Sequence, residues 1–117
     1  MNKVEYWVDT ANYGMDIREV KKVATQYSKL VSQHYDTEKI ILFGSYANGN
    51  AKPESDIDIA VIMNYPEKDW LKISSSLHRL KVSVDMRIEP ILLSPDQDPS
   101  GFLEEINKCG INLFVNS

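Results

Sequence analysis

The sequence predicts an α+β domain in which a small mixed β-sheet carries helices packed on it. Three observations lead there. Short apolar, β-branched runs at KIILF and DIDIAVI, with INLFV at the end, have strand length and strand composition. Longer segments with apolar residues at helical spacing alternate with them. At 117 residues the chain has room for one core and not two. The reading is one domain, with residues 1–35 as an N-terminal helical segment packed on a core of residues 36–117.

Taken in order, Val4, Trp7, Val8 and Ala11 form one helical stripe. A second stripe runs through Ile17, Val20, Val23, Ala24, Tyr27, Leu30 and Val31. The two stripes point in nearly opposite directions, so a break at Gly14 with Asp16 capping the second helix is expected. Lys39–Phe43 reads as a buried strand ending at Gly44, and Tyr46–Gly49 as the beginning of a short helix. The polar stretch SYANGNAKPES leads to a second strand over Asp56–Met63, whose first half alternates Asp56 and Asp58 against Ile57 and Ile59.

Pro66 is suited to the first turn of a helix that reaches about Leu80. Strict alternation over Val82–Ile88 predicts a third strand with Ser83, Asp85 and Arg87 on its polar face. The segment LLSPDQDPSG reads as a loop, and a helix over about Ser100–Lys108 closes near Gly110 before the terminal strand.

Composition narrows the function classes. The sequence is 43% hydrophobic and 26% charged, as expected of a chain that folds to a packed core. No apolar run reaches membrane-spanning length and no signal-peptide core is present at the N-terminus, so the expected location is the cytoplasm, without membrane association. The single Cys109 leaves no internal disulfide to form. A net charge of −4 argues against strong general nucleic-acid binding, which depends on a basic surface. It leaves room for acidic ligands held through divalent cations.

The residues suited to such chemistry are few. Asp56 and Asp58, two apart on a strand, project from one face roughly 6.5–7 Å apart along the chain. Hard carboxylate oxygens are what Mg²⁺ takes, alongside substrate phosphates. Asp85 completes a trio if the third strand lies beside the second. Gly44 lets a phosphate approach backbone N–H groups, and Ser45 adds a hydroxyl.

Gly44-Ser45, ten intervening residues, then Asp56-x-Asp58, followed by an Asp on a later strand, resembles the motif of polymerase-β-like nucleotidyltransferases, particularly their minimal stand-alone members. The likeness covers Lys39–Val115, about two-thirds of the chain. It implies the polymerase-β-like fold, with Gly44 and Ser45 as the nucleotide-binding pair. It further implies Asp56, Asp58 and Asp85 as catalytic metal ligands and two Mg²⁺ ions (Mn²⁺ as a substitute). The implied reaction transfers an NMP, AMP from ATP by expectation, with release of pyrophosphate; Asp85 would lie near the acceptor hydroxyl.

One departure is Asn48, where such members often carry a basic residue. Minimal members often accompany a HEPN-type toxin, so the resemblance implies an antitoxin that nucleotidylates a protein partner. The alternatives are a non-catalytic antitoxin-like or nucleotide-binding module, and a small-molecule nucleotidyltransferase whose pocket is built between the subunits of a homodimer.

Overall fold

A computed structural model describes residues 17–52 and 55–116. The expected first helix, the break at Gly14 and the Asp16 cap lie outside the described residues. Ile17–His34 forms helix α1, Lys39–Phe43 strand β1, and Ser45–Asn48 a single helical turn, α2. Strand β2 spans Ile57–Ile62. A 3-10 turn at Glu67–Asp69 leads into helix α3, Trp70–Leu80, and a second 3-10 turn covers Lys81–Ser83. Strand β3 (Ile88–Leu93), helix α4 (Phe102–Cys109) and strand β4 (Ile111–Val115) complete the order.

The four strands form one mixed sheet in the order β3-β2-β1-β4. Strand β1 pairs antiparallel with both β2 and β4, whereas β2 and β3 run parallel. A parallel pair needs a crossover, which α3 supplies.

Helices cover both faces, which is why β2 changes from an alternating to a continuously apolar sequence. On one face Ile40, Leu42, Ile57, Ile59, Val61, Ile88 and Leu92 pack with Val20, Ala24, Tyr27 and Val31 of α1 and Leu77 of α3. The buried Tyr27 hydroxyl donates to the Leu77 carbonyl at 2.7 Å and ties the two helices together. Burial pushes that phenol well above its ordinary pKa, and nearby Tyr35 adds to the shift. On the opposite face Leu103 and Ile106 of α4 pack on Ile41, Ala60 and Ile62, with Phe43 and Leu93 at the margin. Phe43 and Phe102 meet edge to face at 5.7 Å between ring centroids.

The third strand is where sequence and structure part. The alternating Val82–Ile88 segment is not a strand; pairing with β2 begins at Ile88 and runs to Leu93. The parallel register sets Ile57 opposite Ile88, so residues before Arg87 lie beyond the start of β2 and have no strand to pair with. Instead the chain leaves α3 through the 3-10 turn, with Val84 and Asp85 N–H both donating to the Lys81 carbonyl. Val82 and Met86, expected to be inward-facing, are each 63% exposed. Pro90 is accommodated because β3 is an edge strand.

Smaller differences follow the same logic. The loop expected from Leu92 begins at Ser94, because Leu92 and Leu93 still pair with β2. Helix α4 starts at Phe102 and is capped from a distance: Asp98 accepts the N–H groups of Leu103 (2.8 Å) and Glu104 (3.0 Å). Gly110 follows α4 in an extended, not left-handed, conformation. Its lack of a side chain is needed because a Cβ there would collide with Ile41 and with the Ile106 carbonyl.

Candidate active site

The chemistry-bearing residues gather at one end of the sheet, where β1 leaves and β2 and β3 enter. Strand alternation puts Asp58 on the face that α4 covers, in line with Ala60 and Ile62. Asp58 pairs across the ladder with Phe43 on one side and Glu89 on the other. Ala60 and Ile62 are buried against α4, while Asp58, near the start of the strand, is only half-buried.

Gly44 lies against Asp58 on the β1 side. Its backbone has φ 78° and ψ −154°, a region that is essentially restricted to glycine. A Cβ there would collide with the Asp58 carboxylate oxygen Oδ2. Glycine thus serves the turn and the space Asp58 occupies at once. Ser45 and Tyr46 follow as the first residues of α2, whose Ala47 and Asn48 N–H groups both reach the Gly44 carbonyl at 3.1 Å. Gly49 ends the turn in the left-handed conformation and donates to the Ser45 carbonyl. Ser45 is half-buried and Asn48 exposed.

The electrostatics are those of crowded anions. Burial raises the Asp58 carboxyl pKa above its ordinary value, and the charges of Asp56 and then Glu89 push it the same way. Asp56, exposed just ahead of β2, and Glu89, the parallel-register neighbour of Asp58, therefore share a locality with it. Among the described residues no three acidic, His or Cys side chains converge into a ready cation cage. A cation here would draw the carboxylates together or take ligands from a substrate. The donor set nevertheless fits a hard divalent ion: oxygen ligands only, in mutual repulsion that a cation would relieve.

Asp85 sits elsewhere than its expected strand position. In the turn before β3 it accepts the Arg87 N–H at 2.8 Å, and its Oδ1 lies 3.6 Å from Arg87 Nε. The carboxylate beside Asp58 is that of Glu89, which reads in the sequence as a strand-end residue because Pro90 follows it. The signal that could have found it is the apolar continuation Ile91-Leu92-Leu93, which lengthens the strand past the proline. Glu89 also faces Lys81, with Nζ to Oε1 at 3.6 Å.

Comparison with known proteins places the chain in a family. Residues 25–117 match the family model described as polymerase beta, nucleotidyltransferase. A Methanocaldococcus jannaschii protein described as a candidate protein adenylyltransferase is 33% identical over 84 residues, covering 68% of this chain and 84% of that protein. Among solved structures, a candidate nucleotidyltransferase from Sulfolobus solfataricus superposes with a TM-score of 0.60 at 21% identity, covering 85% of this chain and 86% of that one. A mutant of the toxin–antitoxin MntA–HpeT superposes with a TM-score of 0.50 at 18% identity, over 88% of this chain and 76% of its own. The two superpositions bear on the fold alone.

Proposed function

This chain belongs to the polymerase-β nucleotidyltransferase family, and we propose that it moves AMP from ATP to a hydroxyl group on a partner protein. The observation that carries the site assignment is the placement of Asp58 against Gly44, with Glu89 on the adjoining strand and Asp56 just upstream. In this reading Asp56 and Asp58 hold Mg²⁺, two ions by analogy with the family. The third carboxylate is Glu89 and not Asp85, whose side chain is engaged by Arg87. Gly44 and Ser45 receive the triphosphate at the backbone turn between β1 and α2.

When bound, the metal supplies positive charge that neutralises phosphate oxygens and the departing pyrophosphate. The chain's own residues do the positioning. Gly44 keeps the backbone close enough for phosphate oxygens to reach main-chain donors, and Ser45 offers a hydroxyl beside them. The acceptor oxygen then bonds to the α-phosphorus and the bond from that phosphorus to the bridging oxygen breaks. Pyrophosphate leaves, and the hydroxyl proton passes to the carboxylate cluster. In-line positioning of this kind is the main contribution a protein makes to phosphoryl-type transfer.

A protein acceptor is favoured by the relative described as a candidate protein adenylyltransferase. The MntA–HpeT neighbour is named as a toxin–antitoxin assembly, and the sequence likeness to minimal nucleotidyltransferases points to a HEPN-type toxin as the acceptor here. The test is co-purification with the product of the adjoining gene, followed by incubation with ATP and Mg²⁺ and intact-mass analysis. An AMP adduct on the partner with wild type, and none with Asp58→Ala, is the expected result. Equal neutralisation of the partner by wild type and Asp58→Ala, with no adduct, would replace catalysis with simple association.

A further inference from the structure

Lysine is seldom well covered, yet the Lys81 side chain is only 15% exposed. It follows the last residue of α3, just where its own carbonyl anchors the turn to β3, accepting the N–H groups of Val84 and Asp85 at 2.9 Å each. The stem reaches the edge of the sheet and presents Nζ to Glu89. At 3.6 Å the pair is within Coulomb range but beyond hydrogen-bond length, and the Glu89 side chain is 48% exposed. The ammonium therefore opposes the carboxylate without being locked to it.

Position along the helix supplies a simpler account, since a cation near a helix C-terminus is favoured by the helix dipole. That account leaves the direction of the side chain unexplained. Glu89 is the ladder neighbour of Asp58, and Asp56 adds a third negative charge. Lys81 meets this trio at Glu89, whereas Arg87 faces Asp85.

We infer that Lys81 is the resident counter-charge of the carboxylate cluster, holding Glu89 when no divalent ion is present and competing with that ion for the same oxygen atoms. The inference rests on the metal-binding reading above and concerns a positioning residue, one that tunes how readily the cluster loads. Its signature is counter-intuitive for a residue beside an active site: removing it strengthens metal binding in the nucleotide-free protein. A staple that merely fastened α3 to β3 would not do this.

The experiment is calorimetric titration of the purified chain with Mn²⁺, without nucleotide, at low and at raised ionic strength. Lys81→Met is expected to tighten Mn²⁺ binding about two- to fivefold at low salt, the scale of a partly screened ion pair. The gain should fade as salt rises. Lys81→Arg should bind as wild type does, and the gain should disappear when Lys81→Met is combined with Glu89→Gln. Lys81→Gln serves as a second variant should the methionine protein fail to fold, and melting curves confirm that each titrated variant is folded. Unchanged or weaker binding in folded Lys81→Met or Lys81→Gln protein, or the same gain in the Glu89→Gln background, overturns the inference alone. Absence of Mn²⁺ binding by wild type would instead overturn the metal reading on which it depends.

Discussion

Replacing Asp58 with asparagine should make the metal-free protein more stable at neutral pH, because the native fold holds that carboxylate where its charge is unwelcome. Burial is the largest cause of its raised pKa, followed by the charges of Asp56 and Glu89. A group whose folded pKa lies above its unfolded value contributes stability below the unfolded value and loses it as pH rises through the folded one. At neutral pH the ionised Asp58 therefore opposes folding. Asparagine keeps the shape and removes the charge. Solvent screening at a half-exposed site limits the gain to about 0.5–1 kcal/mol. For a domain of this size that corresponds to a rise of about 2–5 °C in Tm.

The assay is thermal unfolding followed by circular dichroism in a metal chelator, from neutral pH down to acid. The Asp58→Asn advantage should shrink as pH falls through the raised native pKa and vanish below the ordinary aspartate value of 3.8. Added Mn²⁺ should reverse the order, stabilising wild type and not the variant. A variant that is less stable than wild type at every pH would refute the reasoning, because it would mean that the Asp58 charge is satisfied by the fold itself.

Other substitutions separate architecture from chemistry. Gly44→Ala combines a strained backbone with a collision against Asp58 Oδ2, and should cost about 1–3 kcal/mol in denaturant unfolding as well as abolishing transfer. Tyr27→Phe strands the Leu77 carbonyl in the core and should lower stability by about 1–2 kcal/mol, with turnover per folded molecule unchanged. Glu89→Gln should reduce the transfer rate at least about 100-fold, on the scale of losing one electrostatic group aimed at the reacting atoms. Asp85→Asn should cost much less and show mainly as a looser turn before β3 in hydrogen exchange.

Much of the framework was legible because helical and strand periods are written directly into α1, β1, β2 and β4. Asp58 could be assigned to a face from the alternation of Asp56-Ile57-Asp58-Ile59 alone, and the Gly44 turn from the abrupt end of KIILF. The third strand was not legible for a physical reason. Val82–Ile88 alternates as well as a strand does, but parallel register with β2 is a tertiary choice, and it favours the run Ile88–Leu93. Pro90 disguised that run, since only an edge position makes a proline harmless there. Pairing that begins at Ile88 sets Glu89 beside Asp58 and leaves Asp85 in the turn before the strand. The Lys81–Glu89 contact was hidden for the same reason, because it exists only once that register is set.

Parallel reactions with ATP labelled at the α-phosphate and at the γ-phosphate test the central claim most directly. With the partner protein and Mg²⁺ present, α-label should appear on the partner and γ-label in released pyrophosphate, and both signals should disappear with Asp58→Ala. Transfer of γ-label to the partner, or α-label transfer that survives Asp58→Ala, would contradict the account.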